Sequence, residues 1–196
     1  MIHHRHKCIF IHIPKTGGTT IETTLSGIDW HFVNKGIEKH CTLDELEVFP
    51  YMGKDAGKQA GKIYPKYRFH DRDERKQVQA ASRGLFPTDA LKNYFKFSFV
   101  RNPFEWVVST FFWADALKKK YNTDFNLFVH KHLAENKNHF HFSSQYRYTL
   151  HHGVPAMDFI GRFENFEKDF SAVMQQLGLP PNQEPLHLNK NKTRPR

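Results

Sequence analysis

From Phe10 to Glu22 the chain reads FIHIPKTGGTTIE, which sets a lysine, two glycines and two threonines between an apolar run and a helix-like pattern. Glycines at 17 and 18 let a ligand approach the backbone closely, while Thr19, Thr20 and the N–H groups of a helix start supply donors under a favourable dipole. That is the chemistry of an anion cradle, suited to phosphate or a group like it. The nucleoside triphosphatase loop, G-x-x-x-x-G-K-[ST], carries its lysine after the first glycine and directly before the hydroxyl residue. Here Lys15 precedes both glycines, so the spacing does not match and the kinase and GTPase readings weaken.

The elements needed to hold such a turn are present on both sides of it. Residues 8–13 are short and apolar, like a buried parallel strand, and Ile21, Leu25 and Ile28 recur as one helix face. Residues 29–34 read as a second strand, followed by Thr42 and Glu45, a capping box opening the short helix TLDELEVF. Residues 96–100 form another apolar strand. The run NPFEWVVSTFFWADALKKK after it reads as a helix with Asn102 as N-cap, Pro103 in the first turn, a buried stripe of Phe104, Val107, Val108, Phe111 and Phe112, and lysines at its C-terminal end. Helical patterns return at 124–137 and 165–177, the second after the strand-like MDFIG. Helices alternating with short buried strands predict a single-domain α/β fold, residues 1–196, around a mostly parallel central sheet with a P-loop-like turn.

Composition narrows the classes. With 39% hydrophobic residues and 19 phenylalanines, the 196 residues can bury one core and leave little room for a second. No window reaches the roughly 18 consecutive apolar residues of a membrane span, and MIHHRHK leads into a strand-like run rather than a signal-peptide core. Two cysteines, Cys8 and Cys41, lack metal-ligand spacing and are too few for a disulfide framework, which predicts reduced thiols in a cytoplasmic protein. The net charge of +9 favours an anionic partner. Nine Lys/Arg against four Asp/Glu fall in residues 53–86, where GKDAGKQAGK carries a glycine at every fourth position. That segment reads as a basic flexible insertion, either a solvated charged loop or a landing surface for a polyanionic acceptor. Among the 14 histidines, His3, His4 and His6 read as a solvated tail, and His12, alternating within the first strand, as a packed or hydrogen-bonded residue. No acidic metal site is evident, so no metal is expected.

IHIPKTGGTT closely resembles the 5′-phosphosulfate loop of sulfotransferases that use 3′-phosphoadenosine 5′-phosphosulfate (PAPS), in the branch of the Golgi carbohydrate sulfotransferases and their bacterial relatives. FSFVRNPFEWVVSTFF is similar to that family's 3′-phosphate motif, with its arginine and serine eight residues apart, here Arg101 and Ser109. KHCTLDEL, HFSSQYRYTL, DFIGRFENFEKDF and LHLNKNK also look like this branch, so the likeness touches most of the chain outside residues 50–86. It implies that Pro14, Lys15, Thr16, Gly17, Gly18, Thr19 and Thr20 hold the phosphosulfate, and that Arg101 and Ser109 hold the 3′-phosphate. Lys15 then stabilises the leaving phosphate. Lys190, Lys192 and Arg194 close over the nucleotide or form a basic tail; both readings stand. His139, His141 and Gln145 line the acceptor side or are ordinary polar loop residues.

Sulfuryl transfer, like phosphoryl transfer, passes through a loose transition state in which charge gathers on the leaving phosphate, so fixed donors there carry much of the catalysis. The sequence therefore predicts in-line transfer from PAPS to a hydroxyl, on an anionic or neutral glycan, with a general base. His40 in KHCT is the expected base, with Glu38 as runner-up and His31 third, because relatives carry histidine or glutamate there and imidazole titrates near neutral pH. The alternatives are a nucleotide kinase with an altered P-loop, a degenerate protein that binds PAPS or its product without turnover, and a nucleic-acid-binding module. The Arg101/Ser109 pair disfavours the kinase and the nucleic-acid module.

Overall fold

The computed structural model describes residues 2–3, 5–26, 40–48, 90–113, 124–133 and 144–180, and the account below concerns these. The expected strand at 29–34, the basic stretch at 53–86, the lysines at 118–120 and the segment LHLNKNK lie outside them. So do Glu38, His31, His139, His141, Lys190, Lys192 and Arg194.

A four-stranded sheet forms the centre, in the order β1 (Ile2–His3), β2 (Cys8–Ile11), β3 (Phe95–Val100), β6 (Phe159–Arg162). β2, β3 and β6 run parallel, and only the two-residue β1 is antiparallel. β2 is buried along its whole length, as expected of a parallel strand covered on both faces. Its side chains alternate between two cores. Cys8 and Phe10 join Phe97 and Phe99 under α1 (Gly18–Ser26) and α6 (Phe166–Gln176), through Ile21, Leu25, Phe170 and Val173. Ile9, Ile11 and Ile13 face Leu43 and Leu46 of α2 (Leu43–Val48) and Tyr148 of the 3-10 turn Gln145–Thr149. A hairpin of β4 (Leu150–His151) and β5 (Val154–Pro155) lies beside α2. Ahead of β3 is the short α3 (Ala90–Asn93). Among the described residues no helix is long and apolar enough to cross a membrane.

α4 (Pro103–Trp113) starts where the sequence predicts, with Oδ1 of Asn102 accepting from the backbone N–H of Phe104 at 3.0 Å and of Glu105 at 3.4 Å. Its buried face differs from the predicted stripe. Phe104 is 82% exposed, and the buried residues are Trp106, Thr110 and Phe111. The reason is a specific tertiary bond: the Trp106 indole N–H donates to the carbonyl of Pro14 at 2.8 Å, which turns the helix towards the glycine turn. Of the helical pattern at 124–137, residues 124–133 are described, and they are helical in two forms. Asp124 caps one α-turn, α5 (Phe125–Leu127), and the chain then widens into a π-helix over Phe128–Leu133. Phe128 and Phe111 pack there with centroids 5.1 Å apart.

Register brings the site together. Ile11 pairs with Ser98, whose hydroxyl donates to the Ile11 carbonyl at 2.8 Å, and Val100 pairs with Arg162. The residues that follow these parallel strands, His12 to Gly17, Arg101 and Phe163, therefore emerge side by side at the C-terminal edge of the sheet, where open α/β sheets place ligands.

Candidate active site

The turn between β2 and α1 is bent by two left-handed residues, Lys15 at φ 67° and Gly17 at φ 88°. A lysine in that region is uncommon, and such strain persists only where its surroundings hold it. The Lys15 carbonyl accepts from Arg101 Nη1 at 3.2 Å, the Pro14 carbonyl from Trp106, and Lys15 Nζ lies 5.1 Å from the centre of the Trp113 ring. Each glycine also serves packing. A Cβ at Gly17 would come within 2.7 Å of the Phe166 ring, and one at Gly18 would overlap the His12 ring.

A cleft of about 160 Å³ opens over this turn, lined by Pro14, Lys15, Gly17, Gly18, Thr19 and Thr20 with Arg101 and Ser109 opposite, and by His12, His40, Trp113 and Phe163. The structure thus brings Lys15, Arg101, Ser109 and His40 to one place from segments that lie far apart in sequence. A second cleft of about 400 Å³ shares Gly17, Thr20 and Phe163 with it and adds residues 164–168, Phe166 among them.

Arg101 is held from several sides. Its guanidinium lies over Phe163 with Cζ 4.3 Å from the ring centre, and Nη2 is 3.6 Å from Glu105 Oε2. Gln145 fixes its backbone. Oε1 accepts the Arg101 N–H at 2.8 Å, and Nε2 donates to the Arg101 carbonyl at 2.9 Å. Gln145 is absent from the lining of the cleft and acts as a clamp on the Arg101 backbone. Thr16 likewise turns away: it is fully buried, its hydroxyl donates to the carbonyl of Ile13 at 2.8 Å, and it does not line the cleft.

His40 has Nδ1 2.9 Å from the carbonyl of His12. A carbonyl only accepts, so Nδ1 carries the proton and the lone pair of the neutral ring sits on Nε2. His12, which the sequence suggests is a packed or hydrogen-bonded strand residue, belongs to the cleft as well. It is hydrogen-bonded, as expected, to Glu22 at 2.8 Å. Its signal was present in FIHIPKTGGTTIE, where a histidine and a glutamate bracket the glycine turn. Among the described residues the one cluster with metal-ligand composition is Asp44, His151 and His152, and it shares no residue with the cleft.

The family model described as "Sulfotransferase family" matches residues 1–195. The chain belongs to the sulfotransferase family. An uncharacterized protein of Archaeoglobus fulgidus is 36% identical over 87 residues, covering 44% of this chain and 70% of the relative. No solved structure matches. Membership fits the mixed α/β fold with its mostly parallel sheet.

Proposed function

We propose that the chain transfers a sulfuryl group from PAPS to a hydroxyl, with a carbohydrate as acceptor. The observation that carries this reading is the convergence of the Lys15 turn with Arg101 and Ser109 on one cleft, at adjoining ends of two parallel strands. The donor has two separated anionic groups, and the residues fit both. Lys15 with the N–H groups of the turn and the hydroxyls of Thr19 and Thr20 suits the phosphosulfate; Arg101 and Ser109 suit the 3′-phosphate. The neighbouring cleft beside Phe163 and Phe166 offers aromatic faces for an adenine.

When bound, the donor supplies an activated sulfur: its bond to the 5′-phosphate oxygen breaks, the electron pair staying on the phosphate, as the acceptor oxygen bonds to sulfur. Lys15 holds positive charge against that phosphate. His40 Nε2 takes the acceptor's proton, the tautomer being set by its Nδ1–H bond to His12. Gln145 keeps Arg101 in register, and Trp106 anchors the turn through Pro14.

Calorimetry with adenosine 3′,5′-bisphosphate, with and without magnesium, tests the donor half of this reading. Binding that needs no magnesium is expected, and absence of binding, or a strict magnesium and ATP requirement, would return the chain to the kinase reading. Labelled-sulfate transfer across glycans and small alcohols then identifies the acceptor. Within that assay, His40→Ala should lose about 10²- to 10⁴-fold in turnover. Near-normal turnover there, with collapse in Glu38→Ala, moves the base to Glu38.

A further inference from the structure

Two imidazoles line the cleft, and their Nδ1 partners differ. His12 is 4% exposed, with Nδ1 2.8 Å from Oε1 of Glu22, a residue of α1 that is completely buried. His40 instead has its Nδ1 on a carbonyl, and the two ring centres are 4.5 Å apart, edge to face. A carboxylate favours the charged form of its partner, whereas a carbonyl brings no counter-charge. Two cationic rings at that separation repel each other. The favoured distribution is a single positive charge on His12 beside Glu22, with His40 neutral. Environments that force two titratable groups into opposite states are the usual way a site divides its donor and base roles.

Burial strengthens the argument. A fully buried carboxylate needs a compensating charge, and as a source of stability a buried ion pair is poor compared with an apolar pair of similar size. His12, with Nδ1 at 2.8 Å, is placed to supply that charge beside a cleft whose cations, Lys15 and Arg101, are arranged for anions. With His12 protonated, the pair is neutral and the cleft keeps its field. The ring is also held in place: a Cβ on Gly18 would overlap Cδ2, Nε2 and Cγ of His12, so the ring packs against the first residue of α1 beside the anion-binding turn, and with Nδ1 on Glu22 the nitrogen left for a ligand is Nε2.

We propose that His12 is a second catalytic residue of this site: a cationic imidazole, held by Glu22 as its positioning residue, that donates from Nε2 to the phosphosulfate at the oxygen bridging to sulfur. The proposal rests on the sulfotransferase reading above. His12 keeps its proton throughout, while the acceptor's proton goes to His40 Nε2. A charge-assisted bond to the bridging oxygen strengthens as that oxygen becomes the leaving phosphate's, and so acts on the transition state more than on the bound donor.

The test begins with nitrogen-15 NMR of labelled histidine in the unaltered, unliganded chain near neutral pH, with His12 assigned through backbone correlations. A doubly protonated His12 and a neutral His40 are expected; a neutral His12 overturns the proposal, and this measurement needs no variant to fold. Next, Glu22→Gln should return His12 to the neutral form and, with His12→Asn, slow sulfate release from labelled PAPS to water by about 10²- to 10³-fold. Glu22→Asp, which keeps the charge, should recover part of that loss. Wild-type sulfate release in a folded Glu22→Gln chain would also overturn it. Failure of the underlying reading shows separately, as an unaltered chain that does not bind adenosine 3′,5′-bisphosphate whatever the state of His12.

Discussion

Replacing Gln145 by leucine separates the positioning of Arg101 from its charge. The substitution keeps the size of the side chain and removes two hydrogen bonds, one from the Arg101 N–H at 2.8 Å and one to its carbonyl at 2.9 Å. Each bond is worth about 1 kcal/mol net, and because the site is only partly buried, water recovers some of that; a total loss of about 1–2 kcal/mol follows. For a chain of this size that lowers the melting temperature by about 2–8 °C. The larger consequence is for ligand binding. Released from the clamp, Arg101 must be ordered again over Phe163 and the Lys15 carbonyl when an anion binds. If that ordering draws about 1.4 kcal/mol from the binding energy, affinity falls about tenfold. The assay is calorimetry with adenosine 3′,5′-bisphosphate on Gln145→Leu, Arg101→Ala and the unaltered chain, with thermal melts alongside. A Gln145→Leu chain that melts early but binds the bisphosphate as tightly as the unaltered chain refutes the positioning role. In that case Gln145 merely stabilises the fold.

Lys15→Ala should remove most turnover at saturating donor, whereas Arg101→Ala should chiefly weaken binding of adenosine 3′,5′-bisphosphate; equal bisphosphate affinity in Arg101→Ala removes the 3′-phosphate assignment, and unchanged turnover in Lys15→Ala removes it from the mechanism. Gly18→Ala pushes a methyl group into the His12 ring and should destabilise by about 1–3 kcal/mol in denaturant titrations, so a variant of unaltered stability contradicts the packing described. Neither cysteine forms a disulfide, and burial pushes the Cys8 thiol up to about 12, so at pH 8 only about one molecule in ten thousand carries its thiolate. Half-buried Cys41 should therefore react first with a thiol reagent on the native chain and Cys8 only on unfolding; equal rates would show that Cys8 is not shielded.

Much of this protein is legible without its structure because the determining interactions are local. The strand before the glycine turn, the helix after it and the Asn102 cap depend on residues within a few positions of one another, and their chemistry points to a phosphate-like ligand whatever the rest of the chain does. The pairing of Lys15 with Arg101 in one site was legible only as a resemblance between two motifs, since 86 residues separate the atoms that meet. Three features waited for the tertiary structure. Periodicity alone cannot choose among apolar faces of α4, and the choice of Trp106 over Phe104 was made by the carbonyl of Pro14. Gln145 carries two hydrogen-bonding groups that suit an acceptor as well as a backbone, and only the approach of its 3-10 turn to the end of β3 assigns them to Arg101. His12 alternates into a covered strand like any core residue, yet α1 delivers Glu22 to one ring nitrogen and packs Gly18 against the ring. Side-chain type is written in the sequence. Which of several possible partners a polar group meets depends on strand register and helix placement, and those are set by the whole core at once.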